Sequence, residues 1–269
     1  MSRPVITLIT DFGQADGYVG TMKGIIVGIC PEATLIDITH EIRPQAVQEA
    51  AYVLSTAAPC FPPATIHLVV VDPGVGSKRH PIVVQTERAF YVAPDNGVLG
   101  LALAQDPARL AVHLTESRYR LPQVSATFHG RDIFAPTAAH LACGTDPREM
   151  GNPLPLSDLV SLPALQSQRK ADGTWTGQIL HIDHFGNLIT NVQYPMSDAY
   201  PPLPNNQVCV LVAGKRIMGL SRTFADVEPG ELVTYVGSSG YVEIAAREGS
   251  AAAALGMDVG DPVQIEGLP

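Results

Sequence analysis

The stretch Thr65 to His80, TIHLVVVDPGVGSKRH, sets the class of the fold. Seven residues rich in β-branched and aliphatic side chains end abruptly at Asp72, and two glycines and a cationic run follow. An unbroken apolar run of this length suits a strand buried on both faces, the hallmark of a mainly parallel sheet covered by helices. Its neighbours agree. Val5 to Thr10 (VITLIT) and Thr34 to Thr39 (TLIDIT) read as strands, and Tyr18 to Ile29 as a helix stopped by Pro31. A helix over Ala46 to Ala57, strands over Ile82 to Gln85 and Ala89 to Val92, and helices over Asn96 to Ala104 and Ile133 to Ala142 complete an alternating α/β pattern.

The pattern changes after Pro153. A Pro- and Ser-containing stretch with little periodicity precedes strands at Trp175 to Ile182, Leu188 to Val192, Gln207 to Val212, Arg216 to Gly219, Leu232 to Val236, Tyr241 to Ala245 and Pro262 to Glu266. Short strands separated by Gly-rich turns indicate a small β-barrel or sandwich. The expected layout is an α/β domain at 1–163, a linker at 164–174 and a β-barrel domain at 175–269.

The 269 residues hold 17 Lys and Arg against 26 Asp and Glu, a net charge of −9. The deficit is spread along the chain. A net negative surface argues against nucleic acid or an anionic membrane as partner. Hydrophobic residues make up 46% and charged residues only 16%, so the chain can bury a large core but covers less of its surface with charge than usual. Subunit contacts would account for that. Cys30, Cys60, Cys143 and Cys209 are scattered without a CxxC, which suits buried hydrophobes in a reducing cytoplasm better than a zinc or disulfide framework.

In open α/β sheets ligands bind beyond the carboxyl ends of the strands. Asp11, Asp72 and Asp95 all follow strands and are expected to converge on one crevice, although each alone is equally a turn or helix cap. The Asp72-to-His80 segment brings Asp72, Lys78, Arg79 and His80 together around Gly74 and Gly76. It matches neither a P-loop nor a dinucleotide fingerprint. His129 precedes the helix expected near Ile133, where an anion or activated water would meet free amides. A two-metal centre from Asp11, Asp37, His40, Asp72, Asp95 and His129 is an alternative. Further on, His181 to Asn191 (HIDHFGNLITN) offers an aromatic face and amides for a flat heteroaromatic, yet fits a hairpin turn equally well. Glu243 lies between apolar neighbours in a strand.

These motifs occur together and in order: TDFG at 10–13, DGYVGTMKG at 16–24, DPGVG at 72–76, APDNG at 93–97, FHGRD at 128–132, DHFGN at 183–187 and SSGY at 238–241. The chain resembles the S-adenosyl-L-methionine (SAM) hydroxide adenosyltransferases, or SAM hydrolases, relatives of the SAM-dependent fluorinases and chlorinases. The resemblance implies hydrolysis of SAM to adenosine and L-methionine without a cofactor or metal. It implies a homotrimer whose sites lie between one subunit's N-terminal domain and a neighbour's C-terminal domain. It assigns Asp72, Arg79 and His129 to catalysis, and Asp11, Asp72, Asp183, Phe185, Asn187, Ser238, Glu243 and the backbone at Ala246 to substrate binding. In the halogenases, the resemblance implies, tyrosines replace Asp72 and His129 and a tryptophan replaces Gln45, which sides this chain with the hydrolases. A metal-dependent hydrolase of a nucleotide-like substrate and a non-catalytic SAM or adenosine binder are the alternatives.

Overall fold

The computed structural model describes residues 3–162, 166–194 and 205–268. The chain forms two compact units, residues 1–162 and 163–269. The first holds β1 (Val5–Thr10), α1 (Tyr18–Ile29), β2 (Thr34–Thr39), α2 (Val47–Ala57), β3 (Thr65–Val70), β4 (Pro81–Gln85), β5 (Ala89–Pro94), α3 (Gly100–Gln105), β6 (Leu110–Leu114), α4 (Ala135–Ala142) and β7 (Gly151–Pro153). Its sheet runs β2-β1-β3-β5-β4-β6-β7. The four strands β2, β1, β3 and β5 are parallel. The hairpin of β4 and β5 reverses direction and makes the other edge antiparallel, so the sheet is mixed.

Burial on both faces explains the apolar runs. Every residue of β3 is buried. Leu68 and Val70 face a cluster with Ile6, Leu8 and α1 residues Met22 and Ile26, whereas Val69 and Val71 face Ile9 and α2 residues Ala50 and Leu54. Because α1 covers one face and α2 the other, the connections leaving β1 and entering β3 diverge between these neighbouring strands. A change of covering face between neighbouring parallel strands marks the place where open α/β sheets bind ligands, beyond the carboxyl ends.

The expected helix at Asn96 to Ala104 is shortened to α3, because Gly97 takes a φ of +91° in a turn. The helix expected from Ile133 starts earlier, as a π-turn over Gly130–Phe134 that runs into α4. β6 and β7 had no counterpart in the sequence reading. β7 contains glycine and proline, which strands usually avoid, and sits at the sheet edge where proline is tolerated.

His67 on β3 is buried against Tyr91, with ring centroids 5.2 Å apart, and its Nδ1 lies 2.7 Å from Thr7 Oγ1. Burial pushes its pKa down to about 4. The unfolded chain binds a proton near the ordinary value of about 6.5, so stability is lost as pH falls from there toward 4, by roughly 3 kcal/mol. Urea unfolding at pH 7 and pH 4.5 checks this. The pH-dependent loss should shrink by that amount in His67→Gln, and an unchanged loss in the variant would refute it.

The second unit contains β8 (Gln168–Arg169), β9 (Trp175–Ile182), β10 (Leu188–Gln193), β11 (Asn205–Val212), β12 (Lys215–Leu220), β13 (Leu232–Val236), β14 (Tyr241–Ala246), α5 (Ala251–Leu255) and β15 (Pro262–Glu266). All seven expected strands are present. They pair in the order β12-β11-β15-β9-β10-β14-β13, with β8 added to β9. Ser221 N donates to Thr234 O (2.8 Å) just beyond β12, which nearly closes a barrel around Val192, Val210, Val242 and Ile265. The linker expected at 164–174 overlaps residues 163–165, outside the described set, and its later part contains β8.

Candidate active site

The loop after β3 folds back on itself. Val75 N donates to Asp72 O, Ser77 N to Gly74 O, and Arg79 N to Ser77 Oγ. These turns return the Arg79 guanidinium to the carboxylate that opens the loop. Arg79 Nε lies 2.9 and 3.0 Å from the two Asp72 oxygens, and Nη2 also donates to Oδ2. Both side chains are nearly buried, with 9% and 5% of their surface exposed. The guanidinium stacks over Phe134, 5.2 Å from the ring centroid.

Nη2 of Arg79 is also 2.7 Å from Nδ1 of His129. A guanidinium only donates, so Nδ1 is the acceptor and the neutral imidazole carries its proton on Nε2. Burial, and then the positive charge of Arg79, hold the His129 pKa below its ordinary value. The sequence-predicted trio of Asp72, Arg79 and His129 is therefore one hydrogen-bonded chain.

Asp132 places His129. Its fully buried carboxylate accepts from Ser125 N (2.7 Å) and Arg131 Nε (2.6 Å), while Ser125 Oγ accepts from Phe128 N (3.0 Å). Burial works to raise the Asp132 pKa, and these hydrogen bonds more than offset it, leaving it below the usual carboxylate range. The π-turn that starts at Gly130 is the kind of helix irregularity often found at functional sites. Asp132 was quoted within its motif but assigned no role. A carboxylate in the first turn of a helix is the signal that marks it.

Asp72 and His129 line a cleft of about 310 Å³ together with Asp11, Phe12, Gln45 and Phe128. Asp11 Oδ2 accepts from Gln45 N (2.8 Å), and Gln45 holds a φ of +68° to make that bond. Burial raises the Asp11 pKa, and the charge of Asp72 adds in the same direction. Phe12 and Phe128 meet edge to face at 5.9 Å, and Tyr18 touches both rings. This aromatic cluster was not foreseen, because Phe128 lies more than a hundred residues along the chain from Phe12 and Tyr18.

Asp95 does not join Asp11 and Asp72, contrary to expectation. Its buried carboxylate accepts from Val160 N (3.0 Å) and ties down a loop. Lys78 and His80 are exposed, and His80 stacks on His113 at 4.1 Å instead of lining the cleft. Asp37 and His40 pair with each other, His40 Nδ1 lying 2.9 Å from Thr10 Oγ1. The six-residue metal centre thus does not assemble. Among the described residues no three His, Cys, Asp or Glu side chains are grouped to hold a metal.

The remaining predicted residues lie in the second unit. Asp183 organises the β9–β10 turn: Oδ1 accepts from Phe185 N and Asn187 N (2.9 Å each), and Oδ2 from Asn187 Nδ2 (2.8 Å). Gly186 adopts a φ of +83°, as the hairpin reading required. Phe185 is consequently pushed into solvent, 74% exposed. Glu243 on β14 faces Tyr235 across the sheet, and its pKa is raised by burial and further by the charge of Asp183. Ser238 is exposed in the turn between β13 and β14, while Ala246 is buried with its carbonyl accepting from Gly249 N (3.1 Å).

Comparison with known proteins supplies the family. Residues 6–151 match the SAM hydroxide adenosyltransferase N-terminal domain, and residues 177–264 match the C-terminal domain. The chain is 41% identical over 264 residues to an (R)-S-adenosyl-L-methionine hydrolase of Salinispora tropica, covering 97% of each. It is 39% identical over 270 residues to one from Thermus thermophilus, covering 98% of this chain and 99% of the relative. The crystal structure of an uncharacterized conserved protein from Thermotoga maritima superposes with a TM-score of 0.85 at 35% identity, over 97% of this chain and 99% of that one. Two domain matches in the same order, spanning nearly the whole of each relative, show that this chain belongs to the SAM hydroxide adenosyltransferase family.

Proposed function

We propose that the protein hydrolyses SAM to adenosine and L-methionine by in-line attack of a water-derived hydroxide on the ribose C5′ carbon. The observation that supports this most is the Asp72–Arg79–His129 chain, whose two ends, Asp72 and His129, line the cleft. Methionine leaves as a neutral thioether and needs no general acid. The demand falls on the nucleophile, since water attacks poorly unless it is positioned and its proton removed. His129, with Nδ1 occupied by Arg79, presents Nε2–H and so donates to the nucleophile's oxygen. Together with the guanidinium charge it stabilises hydroxide over water, and the proton leaves to solvent before attack. Asp72 locks Arg79 in place.

Asp11 binds the ribose hydroxyls in this proposal. A carboxylate against the sulfonium would stabilise the charged ground state more than the transition state, in which that charge disappears. Phe185 stacks on adenine, Asn187 and the Ala246 backbone meet its edge, and Asp183, Ser238 and Glu243 complete substrate binding. The protein is proposed to act in the cytoplasm as a homotrimer whose sites lie at subunit interfaces. Tyr18 and Val27 on α1 and Ile36 on β2 are large exposed apolar residues for such contacts. Light scattering at a monomer's mass would refute the trimer. Among the described residues no helix is long and apolar enough to cross a membrane.

The deciding experiment incubates the protein with each sulfonium epimer of SAM in oxygen-18 water, with and without a chelator. Labelled adenosine and equimolar methionine are expected, unaffected by the chelator, with the (R) epimer preferred as the relatives' names indicate. No adenosine, or unlabelled adenosine, would refute hydrolysis. The pH profile supplies a further prediction. Protonating His129 removes the acceptor that Arg79 needs, so kcat/KM should fall toward acid through an apparent pKa below the ordinary histidine value. A midpoint well above that value would rule out His129 as the titrating group.

A further inference from the structure

Cys30 and Cys143, 113 positions apart by their numbering, are brought close together where α1 and α4 end. Cys143 Sγ also lies 3.5 Å from the carbonyl of Ile29, the residue before Cys30. Both are reduced. Each occupies the cap position just past a helix, Cys30 after α1 and Cys143 after α4, and these helices pack along their length. The two cysteine amides still close the last turns, Cys30 N donating to Ile26 O (2.8 Å) and Cys143 N to Ala139 O (3.0 Å), but neither residue has helical neighbours beyond it, so the side chains can turn toward each other. Cys30 is buried and Cys143 exposed, the arrangement in which one thiol meets an external reagent and its neighbour resolves the adduct.

We propose that Cys30 and Cys143 form a reversible disulfide-exchange site that staples α1 to α4 under oxidising conditions. The co-reactant is a small disulfide such as oxidised glutathione. The Cys143 thiolate attacks one of its sulfurs, forming a mixed disulfide and releasing one glutathione thiolate. Cys30, losing its proton to solvent, then attacks Cys143 Sγ and releases the second, so two protein thiols are oxidised as one glutathione disulfide is reduced to two thiols. Although the residue is exposed, desolvation of its sulfur, and then the neighbouring Cys30 thiol, push the Cys143 pKa up to about 11, which makes the first step slow at neutral pH and leaves the pair reduced in a reducing compartment. The helices joined in this way begin beside the cleft: Tyr18 at the start of α1 touches Phe128, and α4 continues the π-turn that follows His129.

The test treats the full-length protein with oxidised glutathione, quenches with acid, and maps peptides by mass without reduction. The expected result is a Cys30–Cys143 linked peptide pair, about 2 Da lighter than the sum of its reduced halves and restored by dithiothreitol. Cys60, exposed and distant in sequence, should carry a glutathione adduct instead. In Cys30→Ser the adduct should persist on Cys143, because no resolving thiol remains. A stable glutathione adduct on Cys143 of the unmodified chain, a link from Cys143 to Cys60, or no reaction at Cys143 over a day at pH 8.5 would each overturn the proposal.

Discussion

An Arg79→Met variant is expected to lose about 10³-fold in kcat, because it removes both the positive charge beside the nucleophile and the donor that keeps the His129 proton on Nε2. It should also lose roughly 3 kcal/mol of stability, because Asp72 stays behind as a buried carboxylate without its partner. Methionine keeps most of the packing volume over Phe134, so the loss reports charge and hydrogen bonding more than a cavity. The double variant Asp72→Asn with Arg79→Met separates the two effects. Removing the orphaned charge should recover much of the stability and none of the turnover. A kcat within tenfold of the original in Arg79→Met would remove Arg79 from the chemistry. Equal stability of the single and double variants would mean that Asp72 is solvated after all.

Gly76→Ala is the second large effect, and it acts through backbone alone. Gly76 sits at a φ of +76°, and a Cβ there would lie 2.6 Å from the carbonyl oxygen of Ala126. A left-handed residue with a side chain costs about 1–2 kcal/mol, and a clash with main chain adds a comparable amount, so roughly 3 kcal/mol of destabilisation is expected. Ala126 belongs to the segment leading to His129, three residues on, and Gly76 belongs to the loop carrying Arg79. Pushing these segments apart lengthens the 2.7 Å contact between them. Activity should therefore fall by about 10²-fold under conditions where the variant is still folded. A urea midpoint within error of the original, with kcat unchanged, would show that the loop adapts freely.

Most of the strands were legible because sheet burial writes itself into local composition. TIHLVVV could only be a strand covered on both faces, and WTGQILHI, LVTYV and PVQIE were read with the bounds the fold gives them. The irregular pieces were not. The π-turn at Gly130–Phe134 depends on Asp132 being held by Ser125 and Arg131, a tertiary arrangement that helical periodicity does not encode. β7 is paired only because β6 lies beside it. The same limit misplaced Asp95: position after a strand identifies a candidate, but the Val160 amide, 65 residues away, decides that this carboxylate is a structural tie.

By itself the sequence determined the two-part architecture, most of the strands and, through seven ordered motifs, the family and its candidate residues. Each of these rests on local composition or on residues adjacent in the chain. Tertiary structure alone decided that Arg79 bridges Asp72 and His129, and hence that Nδ1 of His129 is taken and its proton sits on Nε2. It also carried Cys143 Sγ to 3.5 Å from the carbonyl of Ile29, beside Cys30. Distances between groups fifty or a hundred residues apart are set by how the sheet and its helices pack, and no local pattern in the chain records them.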